Sequence, residues 1–123
     1  MNKLKILVAD DNDVNQLLMS KMLQKMGHDV DLVENGQKAV EAASKKNYDI
    51  IFMDIQMPVM NGIDATKIIL ETVVPKPVIV AVTANVFDED KIKCINAGMK
   101  DHIGKPFKME DLQNAINSYV LQG

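Results

Sequence analysis

The chain has 123 residues, 47% apolar and 25% charged, a composition that suits one globular domain over residues 1–123 and excludes intrinsic disorder. Its formal charge is −3, all 14 basic residues are lysine, and tryptophan is absent. No bidentate fork for guanine or phosphate exists and stacking surfaces are scarce, so nucleic acid is not expected as a partner. One cysteine, Cys94, rules out an internal disulfide and a Cys-based zinc site, and favours a reducing, cytoplasmic setting.

In chain order, the first apolar run covers residues 6–9 and stops at the acid pair Asp10-Asp11, too short for a signal peptide. Asp13 followed by Gln16 reads as a capping box opening a helix over 14–26, and Gly27 stands where a C-cap belongs. Apolar residues on that helix spread over more than one stripe. Val14, Leu18 and Met22 are assigned to the core, leaving Met19 and Leu23 as an outward Met-Leu patch for a partner helix. A weaker strand at 30–33 ends in the turn residues Glu34-Asn35-Gly36, and a helix over 37–46 follows. The run at 50–53 ends in Asp54, ahead of a helix over 63–70. The run at 78–82, apolar at every position, ends in Thr83 and precedes a helix over 88–97, where Cys94 reads as a small buried hydrophobe and Gly98 as a C-cap. A short strand at 102–103 runs into Lys105-Pro106, and the last helix spans 109–121. Strands apolar on both faces, alternating with helices, predict a doubly wound α/β fold: five parallel strands with helices on both faces. No apolar stretch approaches the roughly 18 residues of a membrane helix, so no membrane insertion by this segment is expected.

Ligands of an open parallel sheet bind outside the carboxyl ends of its strands. Those ends carry Asp10 and Asp11, Asp54, Thr83 and Lys105. Each has an ordinary explanation alone: helix cap, turn former, strand residue, solvated lysine. Together they place three carboxylates, a hydroxyl and an ammonium on one edge. Crowded carboxylates repel or take up protons unless a cation sits among them, and hard oxygen donors suit Mg²⁺. The lysine and threonine supply what the oxygens of a phosphoryl group need.

The motifs Ile-Leu-Val-Ala-Asp10-Asp11-Asn12, Met53-Asp54-Ile-Gln-Met-Pro58, Asn61-Gly62, Val82-Thr83-Ala84 and Gly104-Lys105-Pro106-Phe107 resemble the receiver domain of two-component signalling along essentially the whole chain. The resemblance implies a flavodoxin-like strand order 2-1-3-4-5 and a phosphorelay function. Asp54 is then the phosphoacceptor for a phosphohistidine. Asp11, Asp54 and the backbone carbonyl of Gln56 are the direct Mg²⁺ ligands, with Asp10 acting through water. Lys105 and Thr83 contact phosphoryl oxygens, Ala84 leaves the access route open, and the Lys105–Pro106 bond is cis. Gln56 and Asn85 occupy positions that tune autodephosphorylation. His102 stands where the family usually has a tyrosine or phenylalanine, which puts the usual threonine–aromatic switch in question. The implied partners are a histidine kinase or a histidine-phosphotransfer domain, and the wording of the motifs is most like receivers of hybrid histidine kinases. With no output domain after Gly123, the chain is expected to be a stand-alone regulator or a piece of such a kinase; as an isolated domain it is expected to modify itself rather than turn over a substrate. The competing readings are a small Mg²⁺-dependent phosphatase or hydrolase, whose Asp-x-Asp nucleophile Asp11-Asn12-Asp13 matches only in part, and a flavin module, which acidic loops would disfavour.

Overall fold

The computed structural model describes residues 3–84 and 88–120, without the side chains of 88–90. Five strands, β1 (Lys5–Ala9), β2 (Asp29–Val33), β3 (Ile50–Asp54), β4 (Val78–Thr83) and β5 (Asp101–Gly104), form one parallel sheet in the order β2-β1-β3-β4-β5. Between and after them come α1 (Asp13–Lys25), α2 (Gly36–Lys45), α3 (Gly62–Thr72), α4 (Asp88–Ala97) and α5 (Met109–Tyr119). This is the expected doubly wound architecture, with strand ends moved by at most one residue and helix ends by at most two.

The period-2 geometry of the strands sends alternate side chains to opposite faces, and both faces are covered. Leu7, Ala9, Ile51, Met53, Ile79 and Ala81 pack with residues of α2, α3 and α4, Cys94 among them. Ile6, Val8, Ile50, Phe52, Val80 and Val82 pack with residues of α1 and α5. α1 and α4 end as expected, with Gly27 at φ 93° and Gly98 at φ 106°. At the first, the Gly27 and His28 amides donate to the Gln24 and Leu23 carbonyls; at the second, the Gly98 and Met99 amides donate to Ile95 and Cys94. Both are Schellman pairs.

Two expectations for α1 are corrected. Its N-cap is Asn12, whose side chain accepts from the Asn15 amide; Asp13 is the first helical residue. Gln16 therefore closes no capping box. It donates through Nε2 to the carbonyls of Asp10 and Val33, 2.7 Å each. The helix is also rotated relative to the predicted face. Met19 (1% exposed) and Leu23 (0%) are core, whereas Val14 (73%), Leu17 (54%) and Leu18 (43%) face out and Met22 is half-buried. The physical reason is the partner on each side: Met19 and Leu23 enter the cluster of Leu4, Ile6, Leu112 and Ile116, which β1 and α5 build together.

Candidate functional site

Asp10 follows β1, and its amide donates to the Val33 carbonyl (3.1 Å), which holds the chain against the end of β2 as it turns into α1. Its carboxylate accepts the Asn12 amide at 2.9 Å. Asp54 closes β3, in register with Val82 of β4, and accepts the Gln56 amide at 3.2 Å. Thr83 closes β4 beside Gly104, and its carbonyl accepts the Lys105 amide at 2.9 Å. Lys105 is thereby aimed back across the sheet. Its ammonium lies 3.1 Å from Asp10 Oδ2 and 3.1 Å from Asp54 Oδ2, joining acids from two other strands.

Asp10, Asp54 and Thr83 are buried, at 2%, 6% and 5% exposure, while Asp11 stands exposed at the rim. Carboxylate oxygens of Asp10, Asp11 and Asp54 lie within 4.8 Å of one another. Burial pushes the Asp54 carboxyl up to about 6, with the Asp10 charge adding to the rise; Lys105 and the Gln56 amide oppose it. Burial disfavours the Lys105 ammonium, but Asp54 and Asp10 outweigh that and hold its pKa above the ordinary lysine value. Asp10 and Asp54 share the one ammonium and Asp11 adds a third carboxylate beside them, so acids outnumber the base. Such a donor set, all oxygen and part open to water, fits a hard divalent cation and lacks the nitrogen and sulfur of a zinc centre.

The structure therefore brings together Asp10, Asp11, Asp54 and Lys105, with Thr83 ending the strand between β3 and β5. Ala84 is exposed just beyond Thr83, and Gln56 is exposed two residues after Asp54. Asn85 lies outside the described residues. The Lys105–Pro106 bond is cis, as expected; Val74–Pro75 is also cis, which no motif indicated. His102 is half-buried on β5, opposite Ala81, with Nδ1 3.7 Å from Asp101 Oδ1. Met19 and Leu23 are buried and so absent from the surface of α1, where Val14, Leu17 and Leu18 stand exposed instead. Asp11 and Gln56 also line an open groove of about 770 Å³ with Met57, Pro58, Asn61 and Lys93.

Sequence reasoning missed the supports. Gln16 ties the carbonyls at the ends of β1 and β2. A Cβ on Gly62 would collide with the Asp54 carbonyl, and one on Gly36 with the Met60 carbonyl. Asn35-Gly36 reads as turn chemistry and Asn61-Gly62 as one of the receiver-like motifs, but nothing in either pair announces a close approach.

Residues 6–117 match the family model of the response regulator receiver domain. The hybrid signal transduction histidine kinase L of Dictyostelium discoideum is 44% identical over 126 residues, which is 97% of this chain and 7% of that protein. Among the first curated relatives the chain spans between 4% and 16% of their length. The receiver domain of the sensor histidine kinase PA1611 of Pseudomonas aeruginosa, solved with a magnesium ion in its active-site cleft, is 36% identical with a TM-score of 0.89; the match covers 98% of this chain and all of that one. The co-crystal structure of the Saccharomyces cerevisiae histidine phosphotransfer protein Ypd1 with the receiver domain of Ssk1 matches at 31% identity and a TM-score of 0.90, over 97% of this chain and 90% of that one.

Proposed function

Because this chain belongs to the response regulator receiver domain family, we propose that Asp54 is its phosphoacceptor and that Asp10, Asp11, Thr83 and Lys105 serve that transfer. The observation that carries the reading is the single Lys105 ammonium held between Asp10 and Asp54, with Asp11 at the rim. The phosphatase reading has no comparable support: the acid it would use as nucleophile, Asp11, is the exposed one.

A carboxylate oxygen of Asp54 attacks the phosphorus of a phosphohistidine. The new P–O bond forms as the P–N bond breaks, and its electron pair returns to the imidazole. Asp54 is fixed by the Gln56 amide on Oδ1 and by Lys105 on Oδ2. Transfer of this kind depends on positioning and charge neutralisation rather than proton chemistry. Asp11, Asp54 and the Gln56 carbonyl would hold Mg²⁺, with Asp10 behind it; bound there, the ion offsets charge on the phosphoryl oxygens. Lys105 meets one phosphoryl oxygen and the Thr83 hydroxyl another. Gln56 and Asn85, both neutral amides, tune the attack of water on the acyl phosphate without acting as general bases. The chain modifies itself and does not turn over a substrate.

The donor is a histidine kinase or histidine-phosphotransfer domain in the cytoplasm, and the high identity to hybrid kinases supports a hybrid-kinase context. The docking face is the start of α1, where Val14, Leu17 and Leu18 lie exposed beside the acid edge. Incubation with acetyl phosphate and Mg²⁺ should add one phosphoryl group, labile to hydroxylamine. Asp54→Asn should abolish it. A label on serine, threonine or histidine overturns the assignment.

A further inference from the structure

The turn between β2 and α2 carries no residue of the acid edge, yet it touches the chain on both sides of it. On one side, Val33 accepts hydrogen bonds from the Asp10 amide and from Gln16. Three residues on, the Gly36 amide donates to the Met60 carbonyl at 3.0 Å. Met60 belongs to the segment 55–61, which leads from Asp54 to α3 and includes Gln56. The other end of that segment is closed by the Gly62 amide on the Ile55 carbonyl, 2.8 Å.

Gly36 is the first residue of α2, its φ outside the left-handed region, so the backbone there does not require glycine. In a helix, alanine is ordinarily the more stable choice. What excludes a side chain is proximity. A Cβ would collide with the Met60 oxygen and stand 2.9 Å from the Met60 carbonyl carbon and 3.0 Å from the Asn61 oxygen. These are backbone atoms, which yield only if the segment moves. Gly36 is buried, so the contact is closed to solvent. The segment also holds Val59 at φ 69°, a costly conformation for a β-branched residue, with the Met60 amide on the Pro58 carbonyl at 2.7 Å. A segment in that shape needs outside support, and Gly36 is where α2 gives it.

We propose that Gly36 is a positioning residue for the Mg²⁺ edge: by letting α2 seat directly on the Met60 carbonyl, it fixes the segment that presents the Gln56 carbonyl beside Asp54 and Asp11. The inference rests on the Mg²⁺ reading above. Supports behind metal ligands commonly change affinity by about ten- to a hundredfold when lost. Gly36→Ala should therefore weaken Mg²⁺ binding about tenfold or more in calorimetric titration.

Asn35→Ala is the control, since it removes the α2 cap, where Asn35 accepts from the Lys38 amide, without touching Met60. It should lose stability in urea but keep its Mg²⁺ affinity within about twofold. Equal Mg²⁺ affinity in wild type and Gly36→Ala overturns the proposal. So does equal weakening by Asn35→Ala, which would mean that loosening α2 suffices. Should Gly36→Ala fail to fold, the wild-type Gly36 amide decides: its ¹H–¹⁵N signal must follow the Mg²⁺ titration of the Gln56 amide, while that of Ala43 in the same helix stays still. A Gly36 amide indifferent to Mg²⁺ overturns it. Failure of wild type to bind Mg²⁺ at all sinks the site reading, and this proposal with it.

Discussion

The two ends of the sheet treat charge in opposite ways. At the amino end, polar groups are matched. The Leu4 amide donates to His28 Nδ1 (3.1 Å), the Lys5 amide to Asp49 (2.8 Å), and Tyr48 and Lys46 both reach Asp31, at 2.7 and 2.9 Å. At the carboxyl end, two buried carboxylates share one ammonium and a third stands beside them at the rim, so acids outnumber the base that answers them. Matched groups hold strands in register. An excess of carboxylates over ammonium groups is a demand for a cation, and a binding site is a demand of that kind.

The difference can be exaggerated by removing the ammonium. Lys105→Met should lose about 3 kcal/mol of stability in chelator, since Asp10 and Asp54 are then buried without their partner. At neutral pH, Asp54, already pushed up to about 6, should then take up a proton. Mg²⁺ should return a larger share of stability to this variant than to wild type. Equal urea midpoints in chelator would show that the ammonium does not hold the edge together.

The reverse experiment supplies the cation. By mass action, Mg²⁺ at a hundred times its dissociation constant should stabilise wild type by about 2.7 kcal/mol. Asp11→Ala should keep little of that gain while matching wild type closely in chelator, because Asp11 is exposed and serves no fold contact of the buried kind. A full Mg²⁺ response in Asp11→Ala would remove it from the ligand set.

The smallest effect belongs to the matched end. Burial lowers the pKa of His28, with Asp49 partly opposing, and its Nδ1 is occupied as an acceptor of the Leu4 amide. The unfolded state therefore binds the proton first. His28 contributes stability that is complete above pH about 6.5 and is lost as pH falls through the folded-state value. His28→Asn keeps a side-chain acceptor but cannot titrate, so its urea midpoint should fall less between pH 7.5 and 5.5. Parallel pH profiles would place the acid sensitivity elsewhere.

Much of this was legible in the residues. Val78–Thr83 is apolar at every position until the threonine, and a strand covered on both faces leaves that signature without help from context. The same holds for Ile50–Asp54, and it is why the acid edge could be named before any fold was drawn. α1 was misread for the opposite reason. Its apolar residues encircle so much of the helix that periodicity alone chooses no face, and the choice falls to β1 together with α5, which is distant in sequence. The cap moved by one residue because Asn12 and Asp13 are both good cap formers, and only geometry separates them. Gly36 and Gly62 were beyond reach for a plainer reason: a close approach involves two segments, and a sequence presents one at a time.

Lys105 reaches Asp54 across 51 positions and Asp10 from still farther along the chain. On the ribosome, both acids leave the exit tunnel long before their ammonium does. Until β5 has been made and docked, Asp10 and Asp54 stand at the ends of neighbouring strands without the ammonium that joins their carboxylates. The acid edge thus takes its full form only when the last strand of the sheet is in place.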